Sequence, residues 1–202
     1  YNQTWAFSID GSYPWCGNGI SAQPGVYSSF DETDIRRKSL MVGQQYNMAT
    51  GAPLSCQKDG PPLNYTEEIE PYEKAPQAAG ARLNKYAWKT DDIWERDNDW
   101  GLMRYAEILL MRAEANFRLG FDGNALLLVN QLRGRALVAP LAAVTEEDLD
   151  KEWLHEFVFE GLRRTVNIRF GTYFQPWWNK DATPTYKGVF PIPQSVLDKN
   201  PN

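Results

Sequence analysis

The stretch RYAEILLMRAEA, residues 104–115, decides the fold of this chain. From about Leu102 to Leu119 apolar residues recur at spacings of three and four, which is the periodicity of an α-helix with a buried side. Further apolar residues widen this stripe, so we expect the helix to pack between neighbouring elements. Gly120 is predicted to end the helix, because glycine readily adopts the left-handed conformation found at helix C-termini.

A second helix is predicted from about Gly123 to Leu137, and Pro140 closes the unit. The linking turn, residues 120–123, is short, so the two helices must pack antiparallel. Small alanine residues, a glycine turn and a span of roughly 34 residues are typical of a tetratricopeptide-like helical hairpin.

A third helix is predicted to begin at Thr145, whose hydroxyl can cap the amide of Asp148. Apolar residues follow along one side, and we expect this helix to reach about Phe170 and to stop at Gly171. A tail rich in aromatic residues and proline comes after it. Region 101–202 is therefore predicted to consist of tetratricopeptide-like helices and this tail.

Residues 1–100 have a different character, because clusters of glycine, proline, asparagine and aspartate interrupt them repeatedly. Residues 39–42 and 82–88 are predicted to form short strands, and no long helix is evident. The predicted fold is mainly α: tetratricopeptide-like helical hairpins beside a loop-rich region, residues 1–100, that contains a few short strands.

The composition is that of a globular protein rather than a nucleic-acid-binding or membrane-spanning protein. Of the 202 residues, 43% are hydrophobic and 23% are charged, enough to build a packed core. The net charge of -5 disfavours a nucleic-acid partner. No stretch approaches the roughly 18 apolar residues of a membrane span. The start does not resemble a signal peptide, so we expect a fragment whose membrane link lies in segments absent here.

Catalytic and metal-binding motifs are weak in this sequence. His155 is the only histidine, and its neighbour Glu156 does not share its helix face, so we expect His155 on the helix surface. Four aspartates, whose spacing is not that of an EF-hand, could ligate calcium, but a solvated acidic loop is favoured. They are Asp91, Asp92, Asp97 and Asp99. We expect no catalytic residue, no metal and no cofactor, and no pair of carboxylates suggests a glycosidase.

Two cysteines, Cys16 and Cys56, both lie in the loop-rich region, and their spacing fits no zinc motif. A disulfide between them and two free thiols are both compatible with the sequence.

Aromatic residues are unusually common in polar loops, where they are more suggestive of recognition than they are in helices. Sugar rings stack on aromatic faces and their hydroxyls bind aspartate and asparagine, and one loop offers both. The candidate carbohydrate-binding residues are Trp5, Asp10, Tyr13, Trp15 and Asn18. The alternative is that these rings anchor the loop. Trp177 and Trp178 are a second candidate, although packing against the helical hairpins is favoured for them.

Four segments in this order resemble the SusD/RagB family: residues 30–37, residues 104–115, residues 129–136, and residues 160–163 with 168–171 and 190–194. The resemblance implies a SusD-like fold of which this chain is the C-terminal half. It also implies that the loop-rich region presents the ligand. Apart from the resemblance, the charged residues of the helix of residues 104–115, the signature helix, are expected to form ion pairs within that helix or with neighbouring helices. These are Arg104, Glu107, Arg112 and Glu114. Arg163 departs from the pattern, because Val166 replaces its usual acidic partner.

The function implied by this resemblance is binding, not catalysis. Members are lipid-anchored on the extracellular face of the outer membrane, cap a SusC-like TonB-dependent transporter and present oligosaccharides, or in some cases peptides. The lipid anchor would lie outside this chain. A helical-repeat scaffold for protein interactions, without a small-molecule ligand, is the alternative hypothesis.

Overall fold

The computed structural model describes residues 20–56, 60–86 and 99–200, and it confirms the mainly helical fold class. The helices are α1 (Tyr105–Arg118), α2 (Asp122–Arg135), α3 (Glu146–Phe157), α4 (Arg163–Arg169) and α5 (Gln194–Leu197). The strands are β1 (Leu40–Met41), β2 (Gly43–Gln44), β3 (Asn64–Tyr65) and β4 (Arg82–Leu83). Short 3₁₀ turns connect several of these elements.

The predicted antiparallel hairpin is formed by α1 and α2. Leu110 and Ala113 of α1 are fully buried, as are Ala125 and Val129 of α2, so small side chains let the two helices approach closely. The expectation that Leu102 begins the apolar stripe is wrong, because α1 starts three residues later and 94% of Leu102 is exposed.

The prediction of one continuous third helix is also wrong, because α3 ends at Phe157 and α4 begins at Arg163. Phe159 and Gly161 have φ angles of 65° and 83°, a left-handed conformation that no α-helix can continue through. The start of α3 agrees with the sequence, since Thr145 and Asp148 cap each other there.

The break after α3 joins the two regions of the chain. Val158, the residue that follows α3, is buried in a hydrophobic cluster of the loop-rich region together with Phe30, Leu40 and Ala81. Trp153 and Phe157 of α3, which precede Val158, lie instead in the helical core. The chain therefore passes from the helical core into the hydrophobic cluster of the loop-rich region within a few residues.

The strands of the loop-rich region form two small antiparallel pairs. In β1 and β4, Leu40 is opposite Leu83, which confirms strands within two of the predicted segments. In β2 and β3, Gly43 is opposite Tyr65, which is buried with Leu63 in a small separate cluster. Within the described residues, no helix is long and apolar enough to cross a membrane.

Candidate functional site

Charged side chains from both regions form a buried ion-pair network. Arg36 is at its centre, with Nη2 2.7 Å from Asp34 Oδ2 and Nη1 2.8 Å from Glu152 Oε2 on α3. Burial alone would lower the pKa of Arg36, but hydrogen bonds to these two carboxylates raise it above its ordinary value. Arg133 of α2 binds the other oxygen of Glu152 at 2.8 Å. Arg36 therefore remains charged and links the loop-rich region to α2 and α3.

The same network continues along the C-terminal end of α3. Arg104 donates to Glu156 Oε1 at 2.9 Å and to Glu160 Oε2 at 2.7 Å, and Lys85 also pairs with Glu160. Burial tends to raise the pKa of Glu156, but hydrogen bonds from Arg104 and Arg135 lower it below its ordinary value. These contacts give Arg104 a structural role at the start of α1.

Glu114 links the signature helix to α3 and α4. Its carboxylate accepts hydrogen bonds from Trp153 Nε1 and Arg169 Nη2, both at 3.0 Å, and pairs with Arg118. The expected ion pairs are thus confirmed for Arg104 and Glu114. Glu107 and Arg112, by contrast, form no ion pair with any residue that the structure describes.

Arg163 has a partner that the sequence pattern did not indicate. Its Nη1 and Nη2 atoms bind the carboxylate of Asp150 at 2.7 and 2.8 Å. The aspartate on α3 therefore supplies the negative charge that Val166 does not.

The expectation that His155 lies on the helix surface is wrong. Only 6% of His155 is exposed, and its ring stacks on Phe30 with ring centroids 4.0 Å apart. Its Nε2 atom lies 3.0 Å from Ser29 Oγ, and its Nδ1 atom lies 3.9 Å from Asp34 Oδ2. Ser29, His155 and Asp34 are the residue types of a catalytic triad, but the contacts of these three residues argue against that role.

The hydrogen bonds around His155 do not fit nucleophile activation. Ser29 Oγ lies 2.7 Å from the Val26 carbonyl and donates its single proton there, so His155 Nε2 must itself be the donor to Ser29. Asp34 binds Arg36 with both oxygens and is too far from His155 Nδ1 for a hydrogen bond. Burial, aided by the charge of Arg36, lowers the pKa of His155 to about 4. The neutral ring is a packing element between the two regions.

An aromatic cleft lies on the loop-rich region, and its volume is about 300 Å³. Tyr72 and Trp178 form one corner of it, with ring centroids 5.6 Å apart and planes at 84°. Tyr72 is 58% exposed, and Trp178 is half-buried. The remaining lining residues are Ser21, Ala22, Gln23, Ile69, Ala75, Pro76, Ala79 and Arg82. We call this set of residues the Tyr72–Trp178 cleft.

A tight turn in the tail positions Trp178. Trp177 and Lys180 exchange backbone hydrogen bonds of 3.0 and 2.9 Å, and Asn179 between them has a φ of 50°. Lys180 Nζ lies 3.1 Å from the carbonyl oxygens of Tyr173, Gln175 and Asp181 and so fastens the turn. Trp178 contacts Tyr72 in the loop-rich region, a contact that the sequence did not predict.

The floor of the cleft is formed around Arg82 of β4. Its guanidinium donates to the carbonyl oxygens of Gln77, Ala79 and Gly80, at 2.8, 2.6 and 3.2 Å. Burial lowers its pKa from the ordinary value, although Tyr65 acts in the opposite direction. Arg82 therefore holds the loop of residues 77–80 against the strand that precedes the helical region.

The predicted carbohydrate-binding residues lie outside the described part of the chain. They are Trp5, Asp10, Tyr13, Trp15 and Asn18. Cys16, Asp91, Asp92 and Asp97 also lie outside it, whereas Asp99 is exposed. Among described residues no group of three or more acidic, histidine or cysteine side chains could hold a metal ion. Tyr72, Ser21 and Gln23 were not predicted, although Tyr72 follows a proline in a polar loop, as the predicted Trp15 does.

The sequence matches the SusD family over residues 7–202. The chain belongs to the SusD/RagB family. The starch-binding protein SusD of Bacteroides thetaiotaomicron is 40% identical over 116 residues, which are 52% of this chain and 21% of that protein. The matched segment thus covers about a fifth of the length of that SusD/RagB relative.

Two solved structures share the fold. Surface glycan-binding protein A of Bacteroides uniformis superposes with a TM-score of 0.63 and is 25% identical, over 92% of this chain and 41% of that chain. A SusD superfamily protein of Parabacteroides distasonis superposes with a TM-score of 0.62 at 18% identity, over 100% of this chain and 44% of that one. The second likeness shows the fold alone.

Proposed function

We propose that this chain is part of a cell-surface protein that binds an oligosaccharide and delivers it to a SusC-like TonB-dependent transporter. The observation that carries the proposal is membership of the SusD/RagB family, with a starch-binding relative 40% identical over 116 residues. The exposed aromatic rings of the loop-rich region support it, because stacking on such rings is a common way to bind sugars.

The proposed location is the extracellular face of the outer membrane, with a lipid anchor outside this chain. A binding role, rather than catalysis, accords with the structural use of the charged residues. The acidic groups of the network pair with arginine or lysine, and the serine–histidine pair cannot activate a nucleophile. The loop with Trp5, Asp10, Tyr13, Trp15 and Asn18 is the proposed carbohydrate site.

The experiment is a screen of the intact natural protein against a glycan array, followed by calorimetric titration with the oligosaccharides that bind. Stacking on one aromatic residue is worth about 1–2 kcal/mol, so Trp15→Ala should weaken binding about ten-fold and leave the unfolding temperature nearly unchanged. A Trp15→Ala protein that loses stability and keeps its affinity would identify Trp15 as a loop anchor.

The delivery step needs a separate test. Purification of the protein from its native outer membrane in mild detergent should also recover a large TonB-dependent barrel. Recovery of the lipid-anchored protein alone would count against delivery and leave glycan binding in place. The scaffold alternative predicts protein partners and no glycan on the array.

A further inference from the structure

We propose that the Tyr72–Trp178 cleft is a second binding site, which takes one or two neutral sugar residues of an oligosaccharide. This inference rests on the proposed glycan-binding function and names a subsite for it within the described residues. The cleft is separate in sequence from the Trp5–Asn18 loop, and its volume of about 300 Å³ is at the small end of ligand sites.

The first argument is the exposure of the rings. A tyrosine that serves only to fill space is mostly covered, yet 58% of Tyr72 is exposed on a loop. Its ring and that of Trp178 are nearly perpendicular, so an apolar sugar face can lie on one ring while the edge of the sugar meets the other. This arrangement favours a ring-shaped ligand with both apolar and polar faces.

The second argument is that both rings stand on hydrogen-bonded turns of the backbone. Trp178 lies in the turn closed by Trp177 and Lys180, and Tyr72 lies in a 3₁₀ turn, Tyr72–Lys74, whose Lys74 amide donates to Pro71. Ligand binding then costs little ordering of these loops, which raises the affinity available from a small contact area.

The third argument concerns polarity and charge. Gln23 is exposed, and its side-chain amide makes no hydrogen bond to any other described residue, so its donors and acceptor can meet sugar hydroxyls. Ser21 offers a hydroxyl beside it. Arg82 is the only charged residue in the described lining, and its guanidinium donates to loop carbonyls of the protein itself. The other described lining residues carry no charge, so the hydrogen-bonding groups that they offer a ligand are neutral, which favours a neutral sugar over an acidic one.

The test uses the intact natural protein and an oligosaccharide identified on the glycan array. Trp178→Ala and Tyr72→Ala should each weaken binding about ten-fold, on the scale of truncated interface aromatics. Gln23→Ala, at an exposed position, should weaken binding about three-fold through a lost hydrogen bond. Tyr72→Phe should retain most of the affinity, because stacking is kept.

A matched control is available in the tail. Tyr186 is 70% exposed, against 58% for Tyr72, and also lies in a 3₁₀ turn, away from the lining. Tyr186→Ala should bind like the unaltered protein. A fluorine-19 spectrum of 5-fluorotryptophan-labelled protein should show the Trp178 signal, assigned by its loss in Trp178→Phe, shifting on titration.

The outcomes separate this inference from the proposed function. Normal binding by Trp178→Ala, Tyr72→Ala and Gln23→Ala would overturn the inference, while glycan binding by the unaltered protein would stand. No binding to any glycan would overturn both. Binding of a peptide that depends on Trp178, with no glycan bound, would also overturn the inference and assign the cleft to peptides.

Discussion

Replacing Arg36 with methionine should destabilise the protein far more than any nearby surface change. Arg36 is buried, and methionine keeps an unbranched apolar stem while removing the charge that binds Asp34 and Glu152. Both carboxylates then remain buried without this partner, although Glu152 keeps Arg133. Breaking a buried ion pair in this way costs about 3–5 kcal/mol. We expect a loss of about 4 kcal/mol in the free energy of unfolding.

The assay is urea unfolding followed by circular dichroism. Arg37→Met is the matched control, because Arg37 is the neighbouring arginine but lies over the Tyr27 ring, 4.2 Å from its centroid, with no ion pair to a described residue. Loss of that cation–π contact should cost about 1 kcal/mol. In the double variant with Glu152→Gln, the cost should fall short of the sum of the single costs by at least about 1 kcal/mol. Equal stabilities of Arg36→Met and Arg37→Met would refute the structural role of the network.

Three further predictions follow from buried or strained positions. The folded-state pKa of His155, about 4, is below its ordinary 6.5, so its stabilising contribution is complete above pH 6.5 and is lost as the pH falls toward 4. Urea unfolding should show that the free energy of unfolding falls by about 2 kcal/mol between about pH 7 and pH 5, and that His155→Gln abolishes this fall. The same pH dependence of the unfolding free energy in the variant would contradict this. Leu109→Asp should unfold the helical region, since an unpaired buried carboxylate costs several kcal/mol. The control Met111→Asp, at an exposed position on the same helix, should melt nearly normally. Equal melting temperatures of the two variants would show that α1 is not packed on both sides. Gly80 and Gly25 both have positive φ, and a side chain at either costs about 1–2 kcal/mol. Only at Gly80 would a Cβ approach Ser21 Oγ to 2.6 Å, so thermal unfolding should rank Gly80→Ala below Gly25→Ala, and the reverse order would refute the close contact.

The helical hairpin could be predicted from sequence because its signals are local. Apolar periodicity, the glycine turn and the Thr145 cap each act within a few residues. The bounds of α1 and α2 and the start of α3 agree with the expected ones within a few positions. The break after Phe157 could not be predicted in the same way. Phe159 adopts a positive φ that phenylalanine rarely takes, and it does so because Val158 and Glu160 have partners in the loop-rich region and at Arg104.

The candidate site depended on contacts between distant segments, which periodicity does not encode. The sequence shows Trp178 as an aromatic residue of the tail, but its partner Tyr72 lies far away in the sequence. The sequence places His155 on the helix surface, because only its neighbours along the helix can be considered. Phe30, whose ring covers His155, lies 125 positions earlier, so the helix pattern carries no signal for that contact. Burial of a polar residue is decided by such tertiary partners.

The position of the ion-pair network explains how a loop-rich surface can hold a rigid cleft. Loops have few backbone hydrogen bonds of their own, so their order must come from contacts with a stable frame. Arg36 and Lys85 provide these contacts from the loop-rich side, and Glu152 and Glu160 provide them from the helical side. Arg82 then transmits that order to the cleft floor, because β4 pairs with β1 while the Arg82 side chain holds the loop of residues 77–80. The helical repeat is therefore the frame, and the aromatic surface that it orders is where ligand recognition is proposed.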